Sequence, residues 1–440
     1  MAAARRFWGL VFLLSLVVNG CRSTSLPDRD AVTSESDSPL VKVDIVLMTP
    51  TPLPVGDDAT PMPVLSGEDL LLPIVEGKFV TRQDARLMLA GRPFRFVGTN
   101  AYFLQPEMAY GNTAGVIETL DAMVSLGMSV ARIWAFNDHD LVGDPAAIQI
   151  EPGVYREESL VALDQVIAEA KKRHIRLILT LVNYWPDYGG IDRYVQWYRE
   201  QCNCQANRSD FYTNETIKGW YKDYVRMLAN RTNTVTGILY ENEPTILAWE
   251  LGNELRNPGD QANDLLAWQE EMAAYIKDLD RNHLVGDGGE GFDDAVELYP
   301  DLSNTYAVRG DEGASYHRLV NQPSIDMVSY HLYPDKWGFN DGSDVETWIR
   351  VHEELAQQAD KVAYLGEYGV IGDDVQRAAT FDRWLTMALT DNQTAGILVW
   401  GLAYQSRPDY DKFSIYCPAH TATCSVLHRY ANQLSSGADH

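Results

Sequence analysis

From about residue 77 onward, short apolar runs alternate with longer stretches of helical period, the pattern of strands and crossover helices of a parallel sheet. The runs are Phe94–Thr99, Ser129–Trp134, Ile175–Val182, Ile246–Leu251, His283–Asp287, Ile325–His331, Val362–Gly366 and Gly396–Trp400. Val, Ile and Leu dominate them, as strands buried on both faces require. Between them lie predicted helices over Thr113–Leu126, Glu157–Arg173, Asn214–Asn230, Asp260–Asp280, Val345–Asp360 and Asp374–Leu389, and only the connection from Gly288 to Ser324 is irregular. A hairpin is expected at Phe79–Arg92. Eight such units fit an α/β fold of the TIM (β/α)8 type, with an N-terminal hairpin and enlarged βα loops, better than a doubly wound sheet.

The region before residue 77 reads differently. Arg5 and Arg6 precede an apolar run, Phe7–Val18, that is too short to span a bilayer and has the form of a secretory signal. Val18-Asn19-Gly20-Cys21 resembles a bacterial lipobox, with Asn19 unusual at its position. The expected organisation is a signal peptide over 1–20, a lipid-bearing Cys21 with a flexible tether over 21–76, a catalytic domain over 77–435 and a tail over 436–440. Apolar patches such as Leu70–Val75 have packing on the domain edge as their alternative. The protein would then be exported, as a cell-surface or outer-membrane lipoprotein or, alternatively, as a secreted one. Of five cysteines, lipidation of Cys21 leaves four, Cys202, Cys204, Cys417 and Cys424, which can form local staples or cross-pair in an oxidising compartment. Their spacing is not that of a zinc site.

Composition narrows the partner. The 440 residues are 45% apolar and 22% charged, an ordinary globular balance. A net charge of -26 repels polyanions, which excludes nucleic acid as an expected ligand and leaves neutral polymers such as polysaccharides open.

The ends of the strands carry the chemistry in such a barrel. They present Asn100 and Tyr102, Arg132 and Trp134, Asn183 and Trp185, Asn253 and Glu254, His331 and Tyr333, Glu367, and Trp400. Two carboxylic acids across a mouth lined with aromatic rings, with no Ser-His-Asp arrangement and no metal-ligand cluster, suit cleavage of a glycosidic bond.

On these motifs the chain resembles glycoside hydrolase family five, most closely its endo-β-1,4-mannanase subfamily. The resemblance runs from Phe79 to Tyr430 through FRFVGTNAY at 94–102, RIWAFND at 132–138, VNYWPDYGG at 182–190, AWELGNE at 248–254, SYHLYP at 329–334 and GEYG at 366–369. It implies a double displacement with Glu254 as general acid/base and Glu367 as nucleophile. It further implies that Arg132 and Tyr333 hold the nucleophile, Asn253 binds the 2-hydroxyl, His331 joins the same network and Trp400 floors the reacting sugar. Tyr102, Trp134, Asn183 and Trp185 are further expected sugar contacts. The substrate would be a β-mannan-type polysaccharide or oligosaccharide, with no metal, no cofactor, and membrane contact only through the lipid, and the protein a monomer. The rivals are another β-glycanase, cellulase-like or exo-β-mannosidase, and a non-catalytic carbohydrate-binding protein. The loops Gln201–Asp210 and Tyr404–Cys424 match no family pattern. Glu254 is expected to have a raised pKa and Glu367 to stay ionised beside Arg132.

Other signals are set aside. Gly286–Gly291 spells a dinucleotide motif, but Asp287 and Glu290 would repel a pyrophosphate and no helix follows; Gly289–Phe292 is expected as a substrate-side loop. His352-Glu353 begins a metalloprotease helix whose second His is replaced by Ala356, and is expected on a solvated face. Sequons at Asn207, Asn214, Asn230 and Asn392 are read as chance matches.

Overall fold

The computed structural model describes residues 66–138, 143–259, 262–302, 304–339, 342–390 and 394–435. The signal peptide, Cys21, most of the tether, the tail and the sequon at Asn392 lie outside the described residues.

Eight parallel strands close into a barrel in which chain neighbours are spatial neighbours: β1 (Phe96–Asn100), β2 (Val130–Trp134), β3 (Arg176–Thr180), β4 (Ile246–Glu250), β5 (Leu284–Gly286), β6 (Met327–Leu332), β7 (Val362–Tyr368) and β8 (Gly396–Trp400). β8 pairs with β1 in register from Gly396↔Phe96 to Trp400↔Asn100, so that Trp400 and Asn100 end side by side on the C-terminal rim. The helices are α1 (Thr113–Leu126), α2 (Glu157–Lys172), α3 (Glu215–Ala229), α4 (Ala262–Leu279), α5 (Ser343–Gln358), α6 (Asp374–Thr390) and α7 (Thr421–Ser435). Their starts follow capping chemistry. The Asn112 side chain accepts from Gly115 N at the start of α1, and Asn214 from Thr216 N and Ile217 N at the start of α3.

Three differences from the sequence reading matter. β7 runs past Gly366 to Tyr368, with register shifts between Leu365 and Tyr368 against β8 and at Tyr330/His331 against β6, and so carries Glu367 inside the strand. The helices Leu104–Ala109, Gly190–Cys202 and α7 were not anticipated. The face of α5 bearing His352 and Glu353 is buried and not solvated: the His352 ring nitrogens lie 2.7 Å from Trp348 O and 2.7 Å from Gly291 O.

The expected hairpin forms from Val80–Gln83 and Arg86–Leu89, extended by Arg92–Pro93. Val80, Leu87, Leu89 and Phe94 pack with the inward residues Phe96, Ile178, Leu284 and Met327, plugging the N-terminal end of the barrel with apolar side chains. The packed body begins upstream of Gly77. Leu70 and Leu71 are buried, and Arg176 donates to Leu72 O and Pro73 O at 3.2 Å each, while Leu72 and Val75 stay exposed. The cysteines pair locally, Cys202 with Cys204 and Cys417 with Cys424, as two loop staples. Among the described residues no helix is long and apolar enough to cross a membrane.

Candidate active site

The rim is organised around one buried arginine. Arg132, on β2, is 1% exposed and donates from Nε to Glu250 Oε2 at 2.7 Å, from Nη1 to Glu367 Oε1 at 2.7 Å and Asn100 Oδ1 at 3.1 Å, and from Nη2 to Asn253 Oδ1 at 2.9 Å. A guanidinium with every edge fixed in this way is a rigid fork, a role that a lysine cannot fill. Glu250 was not singled out in the sequence. Fully buried, it also accepts from Thr180 Oγ1 at 2.5 Å and Tyr364 Oη at 2.7 Å. The signal for it was there: a carboxylate inside the apolar run Ile246–Leu251 needs a buried partner.

Glu367 is held from two sides. Besides Arg132 at Oε1, Tyr333 Oη donates to Oε2 at 2.8 Å. Glu254, just past β4, accepts at Oε2 from Trp185 Nε1 at 2.5 Å and lies at Oε1 3.0 Å from His331 Nδ1. Its backbone takes the left-handed φ of 54°, fixed by Asn253 N donating to Val182 O at 2.7 Å and Glu254 N donating to Gly288 O at 2.9 Å. Gly288 is required there, because a Cβ would stand 2.2 Å from Gly252 O and 2.7 Å from the Glu250 carboxyl carbon.

An oxygen of Glu254, an oxygen of Glu367 and a nitrogen of His331 all lie within 4.8 Å of one another. The two carboxylates thus approach each other directly across the mouth, with His331 beside them. The same three atoms could face a cation, yet all four carboxylate oxygens already receive a protein partner.

The electrostatics of the site differ from the sequence expectation. Burial would raise Glu254, but the hydrogen bond and charge of His331, then Arg256 and Trp185, outweigh it and hold the carboxyl at about 2. Burial would lower His331, and the charges of Glu367 and Glu254 raise it instead. Glu367 is raised, by burial first and by the Glu254 charge, against His331 and Arg132. His331 Nδ1 stands between the two acids, 3.0 Å from Glu254 Oε1 and 3.6 Å from Glu367 Oε2, so the three groups titrate as one coupled set. The donors already aimed at Glu254 are the physical reason for the reversal.

The remaining predicted residues fall into two groups. Trp400 is half-buried at the mouth and Tyr102 is buried against it: their rings stack 5.0 Å apart at 10°, and Trp400 Nε1 donates to Asp411 Oδ2 at 2.9 Å. Trp185 is 36% exposed, with the Arg256 guanidinium 5.0 Å from its ring; Arg256 in turn pairs with Glu290 and packs over Phe292, which puts the Gly289–Phe292 loop beside Glu254. Trp134 and Asn183 instead support the others from behind. Trp134 is buried against Tyr102, at 5.0 Å, and Tyr188, at 5.1 Å, while Asn183 Oδ1 accepts from Asn253 Nδ2 at 3.0 Å and Trp185 N at 3.2 Å.

A family model described as "GH family 5 beta-mannosidase-like" matches residues 77–386. The chain is 35% identical over 385 residues to mannan endo-1,4-beta-mannosidase 2 of Oryza sativa subsp. japonica, covering 81% of this chain and 84% of the relative. It is 36% identical over 347 residues to mannan endo-1,4-beta-mannosidase 1 of Solanum lycopersicum, covering 76% and 85%. Among solved structures, the endo-beta-1,4-mannanase from Thermotoga petrophila superposes with a TM-score of 0.71 at 34% identity, covering 79% of this chain and 78% of that one. The closed barrel, the paired glutamates on β4 and β7 and the family match agree: the chain belongs to the β-mannosidase-like members of glycoside hydrolase family 5.

Proposed function

We propose that the protein is a retaining endo-β-1,4-mannanase that hydrolyses mannan, glucomannan or galactomannan through a covalent glycosyl-enzyme. The observation that carries this reading is the approach of Glu254 and Glu367 to within 4.8 Å, with Arg132 fixed on the latter. Glu367 attacks the anomeric carbon while Glu254 protonates the leaving oxygen, and Glu254 then takes the proton of the water that releases the sugar. His331 Nδ1, 3.0 Å from Glu254 Oε1, is within reach to share a proton with the acid. Arg132 and Tyr333 keep the nucleophile aimed, Asn253 takes the 2-hydroxyl, Trp400 floors the reacting ring, and Trp185 keeps the acid in place. Tyr102, Trp134 and Asn183 back this surface.

A reducing-sugar assay across mannan, glucomannan, xylan and cellulose tests the substrate. Early mixed short oligomers from mannan are expected, and release of single mannose units alone would contradict endo action.

Export and anchoring belong to the same proposal. Val18-Asn19-Gly20-Cys21 supports lipidation at Cys21, so Cys21→Ala should free the protein from the membrane fraction with turnover on soluble substrate unchanged. Mass spectrometry finding the unaltered protein without lipid would reject this.

A further inference from the structure

β7 steps out of register with both of its neighbours at the same place. Against β6 the pairs run Tyr330↔Leu365 and then His331↔Glu367, and against β8 they run Leu365↔Ile397 and then Tyr368↔Val399. Gly366 takes no part in either register. It is the extra residue of a bulge, and a bulge bends its strand and re-aims the side chains beside it. The next side chain is Glu367.

A bulged backbone needs partners from outside the ladder. Asn100, at the end of β1 and 1% exposed, supplies one: its Nδ2 donates to Gly366 O at 2.9 Å and to Leu398 O of β8 at 3.3 Å. Its Oδ1 accepts from Arg132 Nη1 at 3.1 Å, and the same Nη1 donates to Glu367 Oε1 at 2.7 Å. Two carbonyls on one side and a guanidinium on the other fix which end of the amide is which. Asn100 therefore reaches Glu367 by two routes, through the carbonyl that precedes it in the chain and through the guanidinium that holds its carboxylate. Glycine suits the bulge, since a Cβ on residue 366 would stand 3.1 Å from His331 Nε2 and 3.2 Å from Ser329 Cβ.

We propose that Asn100 is a positioning residue for the nucleophile, resting on the role assigned to Glu367. By tying the Gly366 bulge to Arg132 it sets where the Glu367 carboxylate stands, and it acts through Glu367 and not on the sugar.

The test pairs two variants with two nucleophiles. Asn100→Ala loses both routes, whereas Asn100→Asp keeps the shape and the acceptor for Arg132 and loses only the donor to Gly366 O. On an activated aryl β-mannobioside, each read at its own pH optimum, either variant should lower kcat by about tenfold or more with KM within about threefold, because a displaced reactant costs rate and not binding. In Glu367→Ala supplied with azide the attacking group comes from solution, so adding either substitution there should change the rescued rate by less than about threefold. Losses of equal size in both backgrounds would make Asn100 a general structural or sugar-binding residue, and full kcat in Asn100→Asp would show that the Gly366 bond sets nothing; either result overturns the proposal. Melting curves report whether Asn100→Ala folds, and the isosteric Asn100→Asp decides the matter if it does not. A Glu367→Ala that azide fails to rescue would contradict the nucleophile role itself, and the proposal with it, whatever the Asn100 variants do.

Discussion

Arg132 joins two carboxylates that differ in purpose: its Nε reaches Glu250 Oε2 and its Nη1 reaches Glu367 Oε1, each at 2.7 Å. Glu250 is fully buried beneath the rim. It balances the arginine's charge and fixes its plane, which leaves the other edge of the guanidinium to hold Glu367.

Glu250→Gln should therefore destabilise the fold and misplace Glu367 together. Breaking one arm of a buried ionic network costs about 3–5 kcal/mol. Chemical denaturation would measure the loss, and kcat on mannan should fall in the refolded variant. A variant with wild-type midpoint and turnover would show that Glu250 does neither job.

The pH dependence follows from the trio. On the proposed role Glu367 attacks as the carboxylate, and its carboxyl is raised by burial and by Glu254, so activity should fall on the acid side above the ordinary carboxylate range. His331 is raised in the folded protein, so its imidazolium stabilises the fold fully below the unfolded histidine value of about 6.5, and that stability is lost as pH rises through the raised value. Melting temperature against pH should thus decline on the alkaline side for wild type and flatten there for His331→Gln. Parallel curves would show that His331 does not contribute to this pH dependence.

Trp400→Ala takes away the ring that Tyr102 and Asp411 orient. On the proposed floor role, both kcat and affinity should drop, with kcat/KM lower by on the order of tenfold or more. Steady-state kinetics on manno-oligosaccharides checks this, and unchanged constants in a folded variant would exclude the floor role.

The barrel was legible because its strands are apolar runs with few alternatives, and the rim residues because they stand where those runs end. Glu367 is inside β7 and not after it, since bulges against β6 and β8 lengthen the strand, which apolar patterning does not reveal. His352 was misplaced because its buried face is defined by Gly291 and Tyr316, from a connection with no regular period. The bond from Asn100 to Gly366 could not be read at all. The two residues are 266 positions apart in the chain, and nothing local marks it.

The two glutamates can also be told apart by rescue. Azide added to Glu254→Ala should restore turnover and give a β-glycosyl azide, whereas azide added to Glu367→Ala should give the α-product in one displacement. Proton NMR of the isolated azides reads the configuration, and exchanged outcomes would mean exchanged roles.

The most direct test of the double displacement is to trap its intermediate. Wild-type protein treated with 2-deoxy-2-fluoro-β-mannosyl fluoride, which slows release of the glycosyl-enzyme, should gain one sugar, and peptide mass spectrometry should place it on Glu367. A sugar on Glu254, or α-configured product released first with no adduct formed, would contradict the account.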